Sequence, residues 1–422
     1  MNQTDNTKPV PLGLAPSFGF GDRLGCATPG HLDALREHNG PIRGIFAQQS
    51  IREMARTQRT PEQVMAAASD ALHAAGYDQP WGADADHLKT PHDVDRTARA
   101  GFVFFTIDPS DHVDQQADNY APDRIDSLYK APPWAEQYLG KTIKLPSGST
   151  IVFDELTVKR AAVKYGKAIQ HAVEFAGYIR QATAKLNRPH EIEISVDETD
   201  QPTTPAEHYI IADQLVRAGV NLVSLAPRFI GDLEKGIDYI GDINKLERSL
   251  RQHAEIADAL GPYKLSLHSG SDKLAMYPAF AKATKGRFHV KTAGTSYLEA
   301  LRVAVRHAPD LFRRIIEFSR SRYDTDRATY HVHATLRDTP PPDTVRDTTE
   351  LESIYLQRWE DVPPGQGFTA PGRQVLHCTF GSVLTHDTLS KELAQVLAEN
   401  APTYRAILCD HFARHLAALW PD

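Results

Sequence analysis

Short apolar runs recur along the chain, and several end abruptly in polar, chemically able side chains. Lys264-Leu-Ser-Leu-His268 leads into Ser269, Ser271, Asp272 and Lys273, and Glu191-Ile-Glu-Ile-Ser-Val196 leads into Asp197 and Glu198. Phe288-His-Val-Lys291 ends in a glycine turn at Gly294, and Tyr330-His-Val-His-Ala-Thr335 carries two histidines. Such runs read as strands delivering functional groups to one end of a sheet. Gly101-Phe-Val-Phe-Phe-Thr-Ile-Asp108 is continuously apolar, as a strand buried on both faces requires. Helical patterns such as Glu207 to Ala218 and Leu246 to Leu260 lie between the runs, and Thr60-Pro61 supplies an N-cap and first-turn proline. Alternation of this kind predicts an α/β protein.

The runs starting at 44, 101, 191, 221, 264, 288, 330 and 375 make the strand number of a (β/α)8 TIM-type barrel with insertions, with 151–154 as an extra candidate. A doubly wound sheet would carry GxGxxG after its first strand, and none follows a strand here. Pro16-Ser-Phe-Gly-Phe-Gly-Asp-Arg-Leu-Gly25 lacks P-loop spacing and reads as a glycine turn that positions Asp22 and Arg23. Residues 1–422 are expected to form a single barrel domain. Within it, the polar, proline-bearing stretch 109–150 is an inserted lid or side structure, hairpin-like at Lys144-Leu-Pro-Ser-Gly-Ser-Thr150.

With 422 residues, 41% of them hydrophobic, the chain has ample material for a core. Its formal charge of -7, without any Lys/Arg run, leaves nucleic-acid binding no electrostatic support and favours small-molecule chemistry. No uncharged apolar run reaches the ~20 residues of a membrane span. Cys26, Cys378 and Cys409 show no CxxC spacing, which with the polar N-terminus points to a reducing, cytoplasmic location. The oligomeric state stays open, a homo-oligomer included.

His268, His289, His331, His333 and His377 lie on or beside the predicted strands, with Asp108, Asp154, Asp197 and Glu198 as available carboxylates. That donor set suits a divalent metal such as zinc, manganese, cobalt or nickel, although each histidine taken singly reads more readily as a hydrogen-bonded structural residue. His411 and His415 share a helix without the glutamate of HExxH and read as an ordinary helix face. Lys273 and Lys291, as strand-end lysines, suit either a Schiff base or anion recognition. With Arg52 and Arg228 they indicate an anionic small substrate.

The segments SFGFGDRLGCATPGH (17–31), FAQQSIREMARTQRTPEQV (46–64), FTIDPSDHV (105–113), SVDET (195–199), KLSLHSGSDK (264–273) and HVKTAGTSYLEALR (289–302) resemble the tagaturonate epimerase family. The resemblance implies a metal-dependent barrel isomerase that interconverts D-tagaturonate and D-fructuronate, with the neutral ketoses tagatose and fructose as related substrates. Those keto-uronates differ at C4, counted from the hydroxymethyl end, where the C–H is not acidified by the ketone. Transient oxidation would need NAD, for which no fingerprint is present, so the expectation is retro-aldol cleavage and re-addition with a metal and no NAD.

On this reading Asp154, His268 and His331 form a two-histidine, one-carboxylate metal face, with Glu198 replacing Asp154 if the latter only caps its helix. Glu198 and Asp272 are candidate acid/bases, and Lys291 is a catalytic or carboxylate-holding cation. Gln49, Arg52, Ser269, Arg228 and Tyr165 are candidate substrate-binding residues. A barrel aldolase, a keto-sugar isomerase and a non-enzymatic sugar-acid binding protein are the rival readings.

Overall fold

A period-two alternation of polar and apolar residues builds the centre of the molecule. In the computed structural model, which describes residues 8–420, ten strands form. They are β1 (Ser17–Gly21), β2 (Arg43–Ser50), β3 (Gly82–Leu88), β4 (Phe104–Ile107), β5 (Thr142–Lys144), β6 (Thr150–Val152), β7 (Glu191–Val196), β8 (Leu222–Pro227), β9 (Lys264–Leu267) and β10 (Phe288–Lys291). Eight of them close into a parallel barrel in the order β1-β10-β9-β8-β7-β4-β3-β2. Ile192, Ile194, Phe105, Ile107, Leu265, Leu267, Phe288 and Val290 join the apolar core beneath the helices. The intervening Glu193, Thr106, Lys264, His289 and Lys291 point into the lumen, because successive side chains on a strand face opposite ways.

The lumen is therefore polar and internally paired. Lys264 Nζ donates to Ser17 Oγ at 3.0 Å, Ser17 Oγ lies 3.0 Å from His289 Nδ1, and Thr106 Oγ1 donates to Asp84 at 3.0 Å. Buried polar groups are tolerable when they satisfy one another, and these contacts do so in part, leaving His289 Nε2 and the Ser224 and Ser266 hydroxyls without a hydrogen-bond partner among the described residues.

The barrel expectation holds with two different strands from those predicted. Tyr330–Thr335 is unpaired coil, and Val375 lies in the helix Pro371–Cys378. Val332 is instead covered by Tyr323, Val375 and Cys378, so its β-propensity is met by packing without a ladder. The vacated places belong to β1, expected to be a glycine turn, and β3, whose sequence GADADHL has little apolar character. Glycine suits β1 because neighbours crowd it: a Cβ on Gly21 would sit 2.4 Å from the Thr292 carbonyl oxygen.

Residues 109–150 form short helical turns and the antiparallel β5/β6 hairpin, laid over the long helix Glu155–Lys185. Lys159 pairs with Asp126 at 2.7 Å, and Arg160 donates to the Tyr120 carbonyl at 3.1 Å. The helix Ala401–Leu419 packs against the helix Thr28–His38, with the Phe412 and His31 rings 4.8 Å apart. Among the described residues no helix is long and apolar enough to cross a membrane.

Candidate active site

A cavity of about 580 Å³ opens at the C-terminal ends of the barrel strands, the usual place for chemistry on this fold. At the end of β3 the pairing with β4 shifts register between Ala85 and Leu88, and His87 adopts φ 54°. That bulge lets the consecutive Asp86 and His87 both face the cavity, which regular alternation forbids. His268 follows β9 directly, its ring centroid 5.2 Å from that of His87. Asp86, His87 and His268 bring one ligand atom each to within 4.8 Å of one another.

Carboxylates hold both imidazoles from outside. His87 Nδ1 donates to Asp108 at 3.2 Å, and His268 Nε2 donates to Glu193 at 2.7 Å while its Nδ1 lies 3.1 Å from Asp197. Burial opposes charge on His87, but Asp86 and the bond to Asp108 outweigh it and raise its pKa to about 10. Burial likewise opposes charge on His268, yet Asp197 and Glu193 raise it to about 9 against the repulsion of Lys291. Asp86 is held down at about 2 despite burial, by His87 and Lys291. The donors of this group, two imidazoles and a carboxylate with outer carboxylates behind the rings, are those of an open metal site.

Lys291 stands on the cavity floor with its ammonium 2.7 Å from Asp84, 2.7 Å from Asp86 and 2.8 Å from Glu193. Burial works against its charge, but these carboxylates push its pKa well above the ordinary lysine value. Enclosed in this way, its ammonium already has three carboxylate partners, an arrangement that favours a charge-neutralising role over a Schiff base. Toward the mouth, Arg52 pairs with Glu198, Arg23 pairs with Glu53 at 2.6 Å, and Arg56 bonds Tyr330 and Thr329. Lys235, on the loop after β8, donates to Ser269.

A sequence profile of the tagaturonate epimerase family matches residues 1–419. The chain belongs to the tagaturonate epimerase family. A curated relative from Thermotoga maritima, described as a tagaturonate/fructuronate epimerase, is 42% identical over 415 residues, covering 98% of this chain and 82% of that one. Crystal structures of the fructuronate-tagaturonate epimerase of Cohnella laeviribosi, native and with one glycerol, superpose with a TM-score of 0.90 at 38% identity, covering 98% of this chain and 83% of theirs. Family members are epimerases, and this chain is an enzyme of that class.

Of the eleven residues given a metal, acid/base or substrate role from sequence, Glu198, Lys291, Arg52, Ser269, Arg228, His268 and His331 line the cavity. Four do not. Asp154 is an exposed N-cap, its Oδ1 accepting from the Thr157 amide at 2.8 Å, far more a helix signal than a ligand. Asp272 is fully buried behind the cavity, where Arg373 donates to it at 2.9 Å and His411 lies at 2.9 Å. His415 Nε2 accepts from the Asp272 amide, so this second histidine-carboxylate cluster has a lone pair already spent and works as a brace for the loop after β9. Gln49 turns away toward Arg59, while its neighbour Gln48 faces the cavity. Tyr165 is buried on the barrel's flank beside Lys164, which pairs with Asp118 and Glu207.

His331 reaches the cavity rim, but its side chain is 72% exposed and lies 3.4 Å from Asp232, outside the Asp86–His87–His268 group. The reason is the missing strand: without a ladder, residues 330–335 are not anchored at barrel depth. Arg228 spends one of its terminal nitrogens, Nη1, on the Phe229 and Gly231 carbonyls. Asp86, His87 and Lys235 escaped the sequence reading. The alternating Ala83-Asp84-Ala85-Asp86 was the available signal for β3, since alanines outside and aspartates inside still make a period of two.

Proposed function

We propose that this enzyme interconverts D-tagaturonate and D-fructuronate by inverting C4, and that Asp86, His87 and His268 hold the divalent metal it uses. The observation that carries the reading is the Asp86–His87–His268 group at the base of a cavity whose mouth is rich in arginine and lysine. The names of the relatives supply the substrate pair. A bound divalent ion would supply Lewis acidity toward the substrate ketone and its neighbouring oxygen.

The chain's own groups account for the remaining demands. Glu198, which lines the cavity, would take the C4 hydroxyl proton and return it. As that proton leaves, the oxygen lone pair forms the aldehyde carbonyl at C4, the C3–C4 bond breaks, and its electron pair passes through C3 into the C2 ketone as an enediolate. Rotation of the aldehyde fragment presents its other face, C3 attacks C4 again, and the alkoxide recovers its proton. Lys291 favours the ionised forms of Asp86 and Glu193, which would keep the imidazoles oriented.

The test incubates metal-stripped and metal-reconstituted protein with D-fructuronate, unlabelled and deuterated at C4, and follows D-tagaturonate by NMR. Metal-dependent conversion with deuterium retained and no primary isotope effect is expected. H268A and D86A should lose bound metal by elemental analysis as well as turnover. A primary isotope effect at C4 would replace cleavage with hydride or proton removal, and separate three-carbon products would make the enzyme an aldolase.

A further inference from the structure

The cations around the cavity differ in what already neutralises them. Lys291 is enclosed by three carboxylates, Arg23 is paired with Glu53, and Arg52 with Glu198. Arg56 spends its guanidinium on Tyr330 and Thr329 and lies over the Tyr330 ring. Lys235 stands apart. Its ammonium donates to a neutral hydroxyl, Ser269 Oγ, and among the described residues no carboxylate lies within ion-pair distance of it. A lysine ammonium has three donors, and a sheltered ammonium is costly unless an anion comes to it.

The loop that carries Lys235 is held rigidly. Lys273 Nζ, buried beneath it, donates to the Glu234 carbonyl at 2.8 Å and to the Ile237 carbonyl. Arg373 Nε donates to the Gly236 carbonyl at 2.7 Å. The buried Glu234 carboxylate is engaged elsewhere, accepting from Gln374 at 2.6 Å and from the His333 amide at 3.0 Å. Lys235 is thereby aimed into the cavity before substrate arrives, and Ser269, at φ 55°, is presented beside it one residue after His268. Pre-organised donors lose little freedom on binding.

We propose that Lys235, with Ser269, is the anchor for the substrate carboxylate and so the residue that selects a keto-uronate over a neutral ketose. This rests on the reaction proposed above for the same cavity. It also assigns a task to the brace around Lys273 and Arg373, which positions the anchor without touching substrate.

The test measures D-fructuronate binding by calorimetry for wild type, K235M, K235R and R52M, with metal content and Tm recorded for each. A charge-assisted contact predicts a Kd for K235M raised about 10- to 150-fold, with K235R recovering much of the loss and Tm and metal content unchanged. R52M should lose less, since Arg52 already has Glu198 as partner. A Kd for K235M within about threefold of wild type overturns the anchor. An equal loss of affinity for D-fructose, which has no carboxylate, overturns it as well. Turnover in the same wild-type samples separates the two proposals: binding without epimerisation refutes the reaction and leaves the anchor, whereas epimerisation with unchanged K235M binding does the reverse.

Discussion

Replacing Lys291 by methionine removes the counter-charge of three buried carboxylates while keeping most of the side-chain volume. The ammonium contacts Asp84, Asp86 and Glu193 at 2.7, 2.7 and 2.8 Å, and its side chain is 4% exposed. Breaking a buried pair by deleting one partner costs about 3–5 kcal/mol, most of it the desolvation of the charge left behind. An unfolding entropy of ~2.1 cal/mol/K per residue over 422 residues gives ~0.9 kcal/mol/K, so Tm should fall by about 3–6 °C. The measurement is thermal unfolding of metal-free K291M and wild type, since a bound cation would mask the loss. Without the ammonium, burial favours the protonated forms of Asp86 and Glu193, so the penalty should be largest at high pH and relieved as pH falls. The Tm deficit should therefore shrink from about pH 8 to about pH 5.5, and K291M/E193Q should recover part of it. A deficit under about 1 °C at both pH values would refute the view that Lys291 neutralises the floor.

Two further outcomes follow from the same geometry. The pKa values of His87 and His268, about 10 and about 9, lie above the unfolded value, so the stability they contribute is full at low pH and lost as pH rises through them. Metal-free protein should show a falling Tm between about pH 7 and pH 10, and a flat or rising profile would remove these two imidazoles from the account. D154A should cost about 0.5–2 kcal/mol as a lost helix cap, with kcat/KM and metal content unchanged. Loss of bound metal in D154A would return Asp154 to the ligand set.

The runs at 191–196, 264–267 and 288–291 were legible because isoleucine, leucine and valine alternate there with the groups that enter the lumen, and period two needs no tertiary information. His268, Ser269 and Lys291 at their ends were legible for the same reason. The β1 and β3 strands were not: their glycines Gly19, Gly21 and Gly82 leave room for Gln48, Thr292 and Ile45, neighbours distant in the chain. Val332 and Val375 misled in the opposite direction, since a β-branched residue serves a packed coil or a helix when a long-range neighbour covers it.

By itself the sequence determined the alternating architecture, the kinship with the tagaturonate epimerases, and the supply of histidines, carboxylates and cations at strand ends. Tertiary structure alone decided which of them meet. The His87 bulge, the depth of Lys291 among three carboxylates and the aim of Lys235 depend on register and on contacts across the barrel. Asp154 shows the difference most simply, because a carboxylate between a strand and a helix looks alike in sequence whether it binds a metal or only the first turn of its own helix. The choice is made by the distance to other donors, which linear spacing does not contain.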